Sequence, residues 1–340
     1  PLFQRAHTLT PGTTTMVTSG GRVFYIQDES PMGFAGLPGQ WRLIARDAFN
    51  GKLLWKRDMG PWGLEAWSWF TAGHMVRFYN PTHVNRRMVA AKDRVFVTLG
   101  YNEPVSALDP ATGKTLIDYK GTDYADEIVY REGVLYVSVN DRPQKPLPGR
   151  GLNAEPTKEN RSQKMIWAIE AHSGKVLWRA GPYTGVTAHS NRLKSQKTLL
   201  LVASEKGVFA SVDKDSMVGL DLDTGRERFR ASVPMTGTTS LLYYRGMVLA
   251  GHRTLTALDA DTGEIEWTNR IGNLGGNLVN PDVFGLGDLV WTGNYKTMEM
   301  TAFDLATGKV ARTLSIKDVL ANAGHHHRCY PNKSTVRYLI

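Results

Sequence analysis

One short motif returns six times along the 340 residues, and it constrains the fold more than any other feature of the chain. Apolar residues lead into an acidic residue, two or three spacers and a glycine follow, and then usually a basic residue and a second apolar run. Full copies read Ala45-Arg46-Asp47-Ala48-Phe49-Asn50-Gly51-Lys52-Leu53-Leu54-Trp55, Ala168-Ile169-Glu170-Ala171-His172-Ser173-Gly174-Lys175-Val176-Leu177-Trp178 and Ala257-Leu258-Asp259-Ala260-Asp261-Thr262-Gly263-Glu264-Ile265-Glu266-Trp267. The other three centre on Asp109 and Gly113, Asp221 and Gly225, and Asp304 and Gly308. The chemistry is that of a hairpin turn. The acidic side chain accepts backbone N–H groups two or three residues on, and the glycine supplies the positive φ that a hairpin with a bulge requires. The flanking runs are then antiparallel strands, with Trp55, Trp178 and Trp267 placed to pack between neighbouring sheets.

A further apolar run precedes each hairpin, at 22–25, 94–97, 133–136, 199–202, 247–249 and 288–291, and an earlier strand precedes it at 14–17 and 87–89. Four strands per unit, repeated radially, make a β-propeller, so the fold class is all-β with four-stranded blades. Six hairpin repeats are visible, and residues 336–340 read as the second strand of a seventh blade. The complete ring has about seven or eight blades. Because an open ring leaves unpaired strand edges, residues 1–340 are expected to form one propeller domain lacking part of its last blade. The remainder comes from another segment of its own chain, with some strand exchange by the N-terminus. Repeat glycines are as close as 38 residues (225 to 263) and as far apart as 62 (51 to 113). The longer units therefore carry insertions, at 57–86 and 141–164, of the kind that gather on a binding face. Residues 316–323 are the best helical segment.

The hairpin Asp-x-x-Thr-Gly-Lys/Glu-x-x-Trp resembles the PQQ-like repeat shared by quinoprotein alcohol dehydrogenases and BamB-type outer-membrane assembly scaffolds, over residues 12–315. The ending His325-His326-His327-Arg328-Cys329-Tyr330, with Lys333-Ser334-Thr335 and Arg337-Tyr338-Leu339-Ile340, is similar to a segment of large planctomycete-type PQQ-like proteins, and that resemblance implies a chain continuing past Ile340. The BamB resemblance implies a non-catalytic scaffold holding a protein or peptide partner, by strand addition for example, in the periplasm or outside the cell. The quinoprotein resemblance implies PQQ with Ca²⁺. Those enzymes contact PQQ through a cysteine pair, and Cys329 is the only cysteine here, which argues against a PQQ-dependent dehydrogenase.

Net charge is +9, which favours an anionic partner. No dense Lys/Arg run, nucleic-acid module, Walker loop, haem motif or Gly-x-Ser-x-Gly elbow occurs, and no run approaches the roughly 18 apolar residues of a membrane span. With the blades aligned on their second strands, the position twelve residues upstream is His83 from Val95, His189 from Leu201 and His326 from Tyr338. Equivalent positions on different blades converge, and converging neutral imidazoles suit a divalent metal such as Zn²⁺, Mn²⁺, Cu²⁺ or Fe²⁺. Farther apart, they suit acid and base about a ligand. Arg328 and Tyr330 share the strand parity of His326, adding a carboxylate-neutralising guanidinium and a proton donor.

The first insertion interleaves Trp62, Trp67 and Trp69 with Arg77 and Arg86, a composition suited to acid-bearing sugar rings, and Asn277 takes a comparable place in the sixth blade. The second insertion, from Arg142 to Lys164, reads as a solvated loop with no enzymatic part. Two functions fit these features. One is metal- or Arg-assisted lyase chemistry on an anionic uronate polysaccharide by His83, His189, His326, Arg328 and Tyr330, and the other is a non-catalytic BamB-like scaffold.

Overall fold

The computed structural model describes residues 13–29, 39–62, 86–143, 162–187, 197–235, 239–271, 283–294, 297–315 and 317. Every copy of the motif folds into the turn its chemistry dictates. In the first copy Asp47 Oδ1 accepts the backbone N–H of Phe49 at 2.9 Å and of Asn50 at 3.0 Å. The Gly51 N–H donates to the Asp47 carbonyl at 3.0 Å, and the Asp47 N–H to the Lys52 carbonyl at 2.9 Å. Gly51 adopts φ +72° and Gly113 φ +71°, the left-handed region where a side chain is strained. In all six hairpins the register shifts by one residue just before the acidic position, as at Ala45/Arg46 and Ala257/Leu258, which is the expected bulge.

The chain divides into two compact units, the first running to Gly185 and taking in Lys197–Leu199, the second holding the rest. The first unit has three antiparallel four-stranded sheets. Sheet one is Thr13–Ser19, Arg22–Asp28, Trp41–Asp47 and Leu53–Asp58. Sheet two is Met88–Ala90, Val95–Thr98, Val105–Leu108 and Thr115–Tyr119. Sheet three is Ala125–Arg131, Val134–Asn140, Lys164–Glu170 and Val176–Tyr183. Their first strands neighbour one another in order, Thr13–Ser19 beside Met88–Ala90 and the latter beside Ala125–Arg131. The second unit repeats the arrangement. Sheet four is Leu200–Ser204, Gly207–Ser211, Ser216–Leu220 and Glu227–Ser232; sheet five is Ser240–Tyr244, Met247–Gly251, Thr254–Asp259 and Ile265–Arg270; sheet six is Val283–Leu286, Leu289–Asn294, Glu299–Asp304 and Val310–Ser315. No α-helix occurs among the described residues, and the segment 316–323 lies almost wholly outside them.

Within each unit the core lies between successive sheets. Phe24, Ile26 and Leu43 of sheet one meet Met88, Val95 and Val97 of sheet two. Phe96 and Ala107 of sheet two meet Ile128, Leu135 and Val137 of sheet three. Phe209 and Met217 of sheet four meet Val248 and Leu258 of sheet five. Leu249 and Ala257 of sheet five meet Val290 and Phe303 of sheet six. In sheets two, four and five the middle strands therefore bury both faces, whereas Arg22–Asp28 of sheet one alternates buried and half-buried residues.

One strand assignment is corrected. Residues 199–202 were expected as a second strand, but Leu200–Ser204 is the first strand of sheet four, and the second is Gly207–Ser211. The residue of sheet four that matches Val95 is therefore Val208, since Val95 faces Leu108 and Val208 faces Leu220 just before the acidic turn. His189 precedes Val208 by 19 residues (208 − 189), whereas His83 precedes Val95 by 12 (95 − 83). The register that matched His189 to His83 does not hold.

Candidate functional site

Antiparallel order sorts the connections into two ends. Links between the first and second strands, and the acidic turns between the third and fourth, are short and lie at one end of each sheet. The long links leave from the other end, after Asp28, Asp58 and Asn140 in the first unit. Residues 63–85 and 144–161 belong to those links and lie outside the described residues.

That second end carries a buried cluster of charge. Arg87 stands just before the first strand of sheet two, Asp126 near the start of the first strand of sheet three, Asn140 at the end of its second and Lys164 at the start of its third. Antiparallel pairing brings these termini together, with Asn140 directly opposite Lys164. Arg87 is 2% exposed, Asp126 and Lys164 0%, Asn140 5%. The Asp126 carboxylate accepts from Arg87 Nη2 at 3.2 Å through one oxygen and from Lys164 Nζ at 2.8 Å through the other. Lys164 also donates to Asn140 Oδ1, and Asn140 Nδ2 donates to the Tyr124 carbonyl at 2.7 Å. Arg87 Nη1 donates to the Tyr101 carbonyl at 2.5 Å, and its guanidinium lies 4.1 Å from the centre of the Tyr101 ring. At the rim Arg86 pairs with Glu127 at 3.2 Å.

Burial is affordable to these ions only because each faces opposite charge or a carbonyl. Desolvation lowers the Lys164 pKa, against the pull of Asp126. Gly185 completes the enclosure: a Cβ there would sit 2.7 Å from Lys164 Cε and 2.8 Å from the Thr198 carbonyl oxygen, so only glycine fits. The cluster is thus sealed and paired, an arrangement that fixes strand termini and has no proton face open to solvent.

Of the residues expected to carry function, Trp62 and Arg86 are described. Trp62 is 0% exposed and sits in the core cluster with Phe24, Met88 and Tyr101, so its ring faces protein. Arg86 keeps part of its surface and pairs with Glu127. His83, His189, His326, Arg328, Tyr330, Trp67, Trp69, Arg77 and Asn277 lie outside the described residues. Among the described residues no three His, Cys, Asp or Glu side chains gather as a metal-holding group, and no helix is long and apolar enough to cross a membrane. Lys164, the last residue of the insertion that reads as a solvated loop, is instead a fully buried strand residue. Its signal was parity: Lys164, Ile166 and Ala168 alternate onto the inward face.

Residues 162–318 match the family model described as outer membrane protein assembly factor BamB. The crystal structure of BamB from Moraxella catarrhalis is similar in fold, with a TM-score of 0.52 at 14% identity over 91% of this chain and 74% of that one. The computationally designed Ika8 protein aligns at a TM-score of 0.43 and 14% identity, over 93% of this chain and 88% of that one. No curated protein matches the chain. Repeat, sheet order and fold likeness agree: residues 162–318 carry a PQQ-like, BamB-type family match, and the chain has a β-propeller fold similar to that of BamB, its sheets the four-stranded blades of that fold.

Proposed function

We propose that the chain is a non-catalytic binding scaffold, working in the periplasm or outside the cell, whose long links receive an anionic protein partner. The observation that carries this reading is the sealed Arg87–Asp126–Lys164–Asn140 cluster at the end of the blades from which those links depart. A group that relays protons to a substrate must reach it, and the two that could carry a mobile proton, Asp126 and Lys164, are 0% exposed. What they supply is rigidity at the base of the links that include residues 63–85 and 144–161, whose sequence holds the aromatic and cationic Trp67, Trp69 and Arg77. The net charge of +9 favours acidic partners.

The test is capture of the purified chain's partner from the native cell envelope, then reconstitution with that partner pure and titration at two salt concentrations. Stoichiometric binding that weakens with salt, and weakens on Arg77→Glu, supports the reading. Absence of any reconstituted complex overturns it.

A second reading rests on the sequence near the C-terminus, where His326, Arg328 and Tyr330 share strand parity. In it these residues, with His83, cleave an anionic uronate polysaccharide as a lyase: Arg328 or a divalent metal neutralises the carboxylate, a histidine removes the α-proton, and Tyr330 protonates the leaving oxygen. Ultraviolet absorbance of unsaturated product from uronate polymers, with and without added Zn²⁺ or Mn²⁺, supports it. Silence with every polymer removes it.

A further inference from the structure

We propose that Lys164 and Asn140 become joined, after folding, by an intramolecular amide bond whose formation Asp126 assists, the Asn140 side-chain nitrogen leaving as ammonium. The two residues face each other across the second and third strands of sheet three. Lys164 Nζ donates to Asn140 Oδ1, the oxygen on the carbon that the amine would attack. Asp126, from the first strand of the same sheet, accepts from that amine through Oδ2 at 2.8 Å. Lys164 and Asp126 are 0% exposed and Asn140 5%. An amine, a carboxamide and a carboxylate in mutual contact and shielded from water are the groups that an amide exchange requires. Neighbours hold each of them in place. Arg87 Nη2 donates to the other Asp126 oxygen at 3.2 Å, Asn140 Nδ2 donates to the Tyr124 carbonyl at 2.7 Å, and Ser162 Oγ donates to Asn140 Oδ1 at 3.4 Å. Gly185 leaves the room that the Lys164 stem occupies.

The step balances within the cluster. Asp126 takes a proton from Nζ, and the freed lone pair bonds Asn140 Cγ. Negative charge gathers on Oδ1, where the Ser162 hydroxyl donates. The Cγ–Nδ2 bond then breaks. Nζ keeps one of its three protons, the other two pass by way of Asp126 to Nδ2, and ammonium departs, so the carboxylate ends as it began. Three features favour this course. Burial disfavours the ammonium form of Lys164, and the nearby Arg87 charge acts in the same direction. The product amide is neutral, so the desolvated cation that the cluster has to offset disappears. The strand ladder holds amine and carboxamide together, which replaces a chance encounter by a fixed one. A carboxamide is a slow electrophile, so the newly folded chain holds the ion pairs described above and the amide accumulates from it with time. The bond ties together the strand ends that bracket residues 141–163, making the base of that insertion covalent.

Intact-mass and peptide mass spectrometry of the folded 340-residue chain, newly folded and after days of incubation, tests this. The aged protein is lighter by one ammonia, trypsin no longer cuts after Lys164, and the peptide carrying Asn140 is recovered joined to the one carrying Lys164. Asp126→Asn slows the joining about a hundredfold or more. Lys164→Arg keeps the buried positive charge and stays at full mass, and so does wild-type protein held unfolded in urea. Full mass in aged protein that circular dichroism shows to be folded would overturn the proposal, as would joining at the wild-type rate in Asp126→Asn. So would an ammonia loss that persists in Lys164→Arg, the mark of a cyclised asparagine, or a loss of water with Asp126 joined to Lys164.

Discussion

Replacing Asp126 by Asn keeps the size of the side chain and removes a negative charge that pairs with both Arg87 and Lys164. Both ion pairs are lost at once, at 3.2 and 2.8 Å, in a place where the three side chains are 2%, 0% and 0% exposed. Breaking a buried pair by deleting one partner costs about 3–5 kcal/mol, because the remaining charge stays desolvated. With a urea slope of about 2.5 kcal/mol/M, the denaturation midpoint of the first unit falls by roughly 1.2–2 M. Tryptophan fluorescence and circular dichroism at pH 7 read it. The double variant Asp126→Asn, Lys164→Met removes a stranded cation as well, and at least half of the loss returns. The pH dependence has a fixed sign. Without Asp126 the folded Lys164 binds its proton more weakly than the unfolded chain does, so stability rises with pH. The deficit at pH 10 is therefore smaller than at pH 7. A midpoint change below about 0.4 M, or a deficit that grows with pH, refutes the buried-pair reasoning.

Two further outcomes follow from the turns. Asp47, Asp109, Asp221, Asp259 and Asp304 all titrate below the ordinary aspartate value. The largest cause is a backbone bond from Asn50 for Asp47 and from Thr262 for Asp259, and the threonine hydroxyl three residues on for Asp109, Asp221 and Asp304. Their contribution is complete above about pH 4 and lost as pH falls through the lowered folded values, so the melting temperature holds from pH 7 to 5 and drops steeply below about 4. Gly113→Ala and Gly51→Ala share the cost of a positive φ, about 1 kcal/mol, but only Gly113 faces the Trp55 ring, at 2.8 Å. The Gly113 variant is therefore less stable than the Gly51 variant by a further 1–3 kcal/mol or so by thermal denaturation, and equal losses contradict that contact.

The turns were legible because their chemistry is local: an acid, a glycine four residues on and flanking apolar runs determine the hairpin before any tertiary contact forms. The strand at 199–202 was misplaced because Leu199-Leu200-Leu201-Val202 is as apolar as a second strand, while the true one, Gly207-Val208-Phe209-Ala210-Ser211, opens on a glycine. That slip propagated to His189. The charged cluster was illegible for a physical reason. Asp126, Asn140 and Lys164 look like surface residues in sequence, and their burial is tolerable only once strands distant along the chain bring them within 3.2 Å of opposite charge or a carbonyl. Lys164 was further masked by the Lys- and Pro-rich insertion preceding it, although its parity with Ile166 pointed inward.

The scaffold reading depends on the cluster being closed to solvent, and amine labelling measures that directly. Native protein is acetylated briefly with an amine-reactive ester, and each lysine is followed by peptide mass spectrometry. Exposed Lys52, Lys114, Lys175 and Lys309 modify quickly, while Lys164 stays unmodified until urea unfolds the first unit. Because its pKa is lowered, an accessible Lys164 would react faster than its neighbours, so early labelling there would show an open, reactive amine and contradict the account.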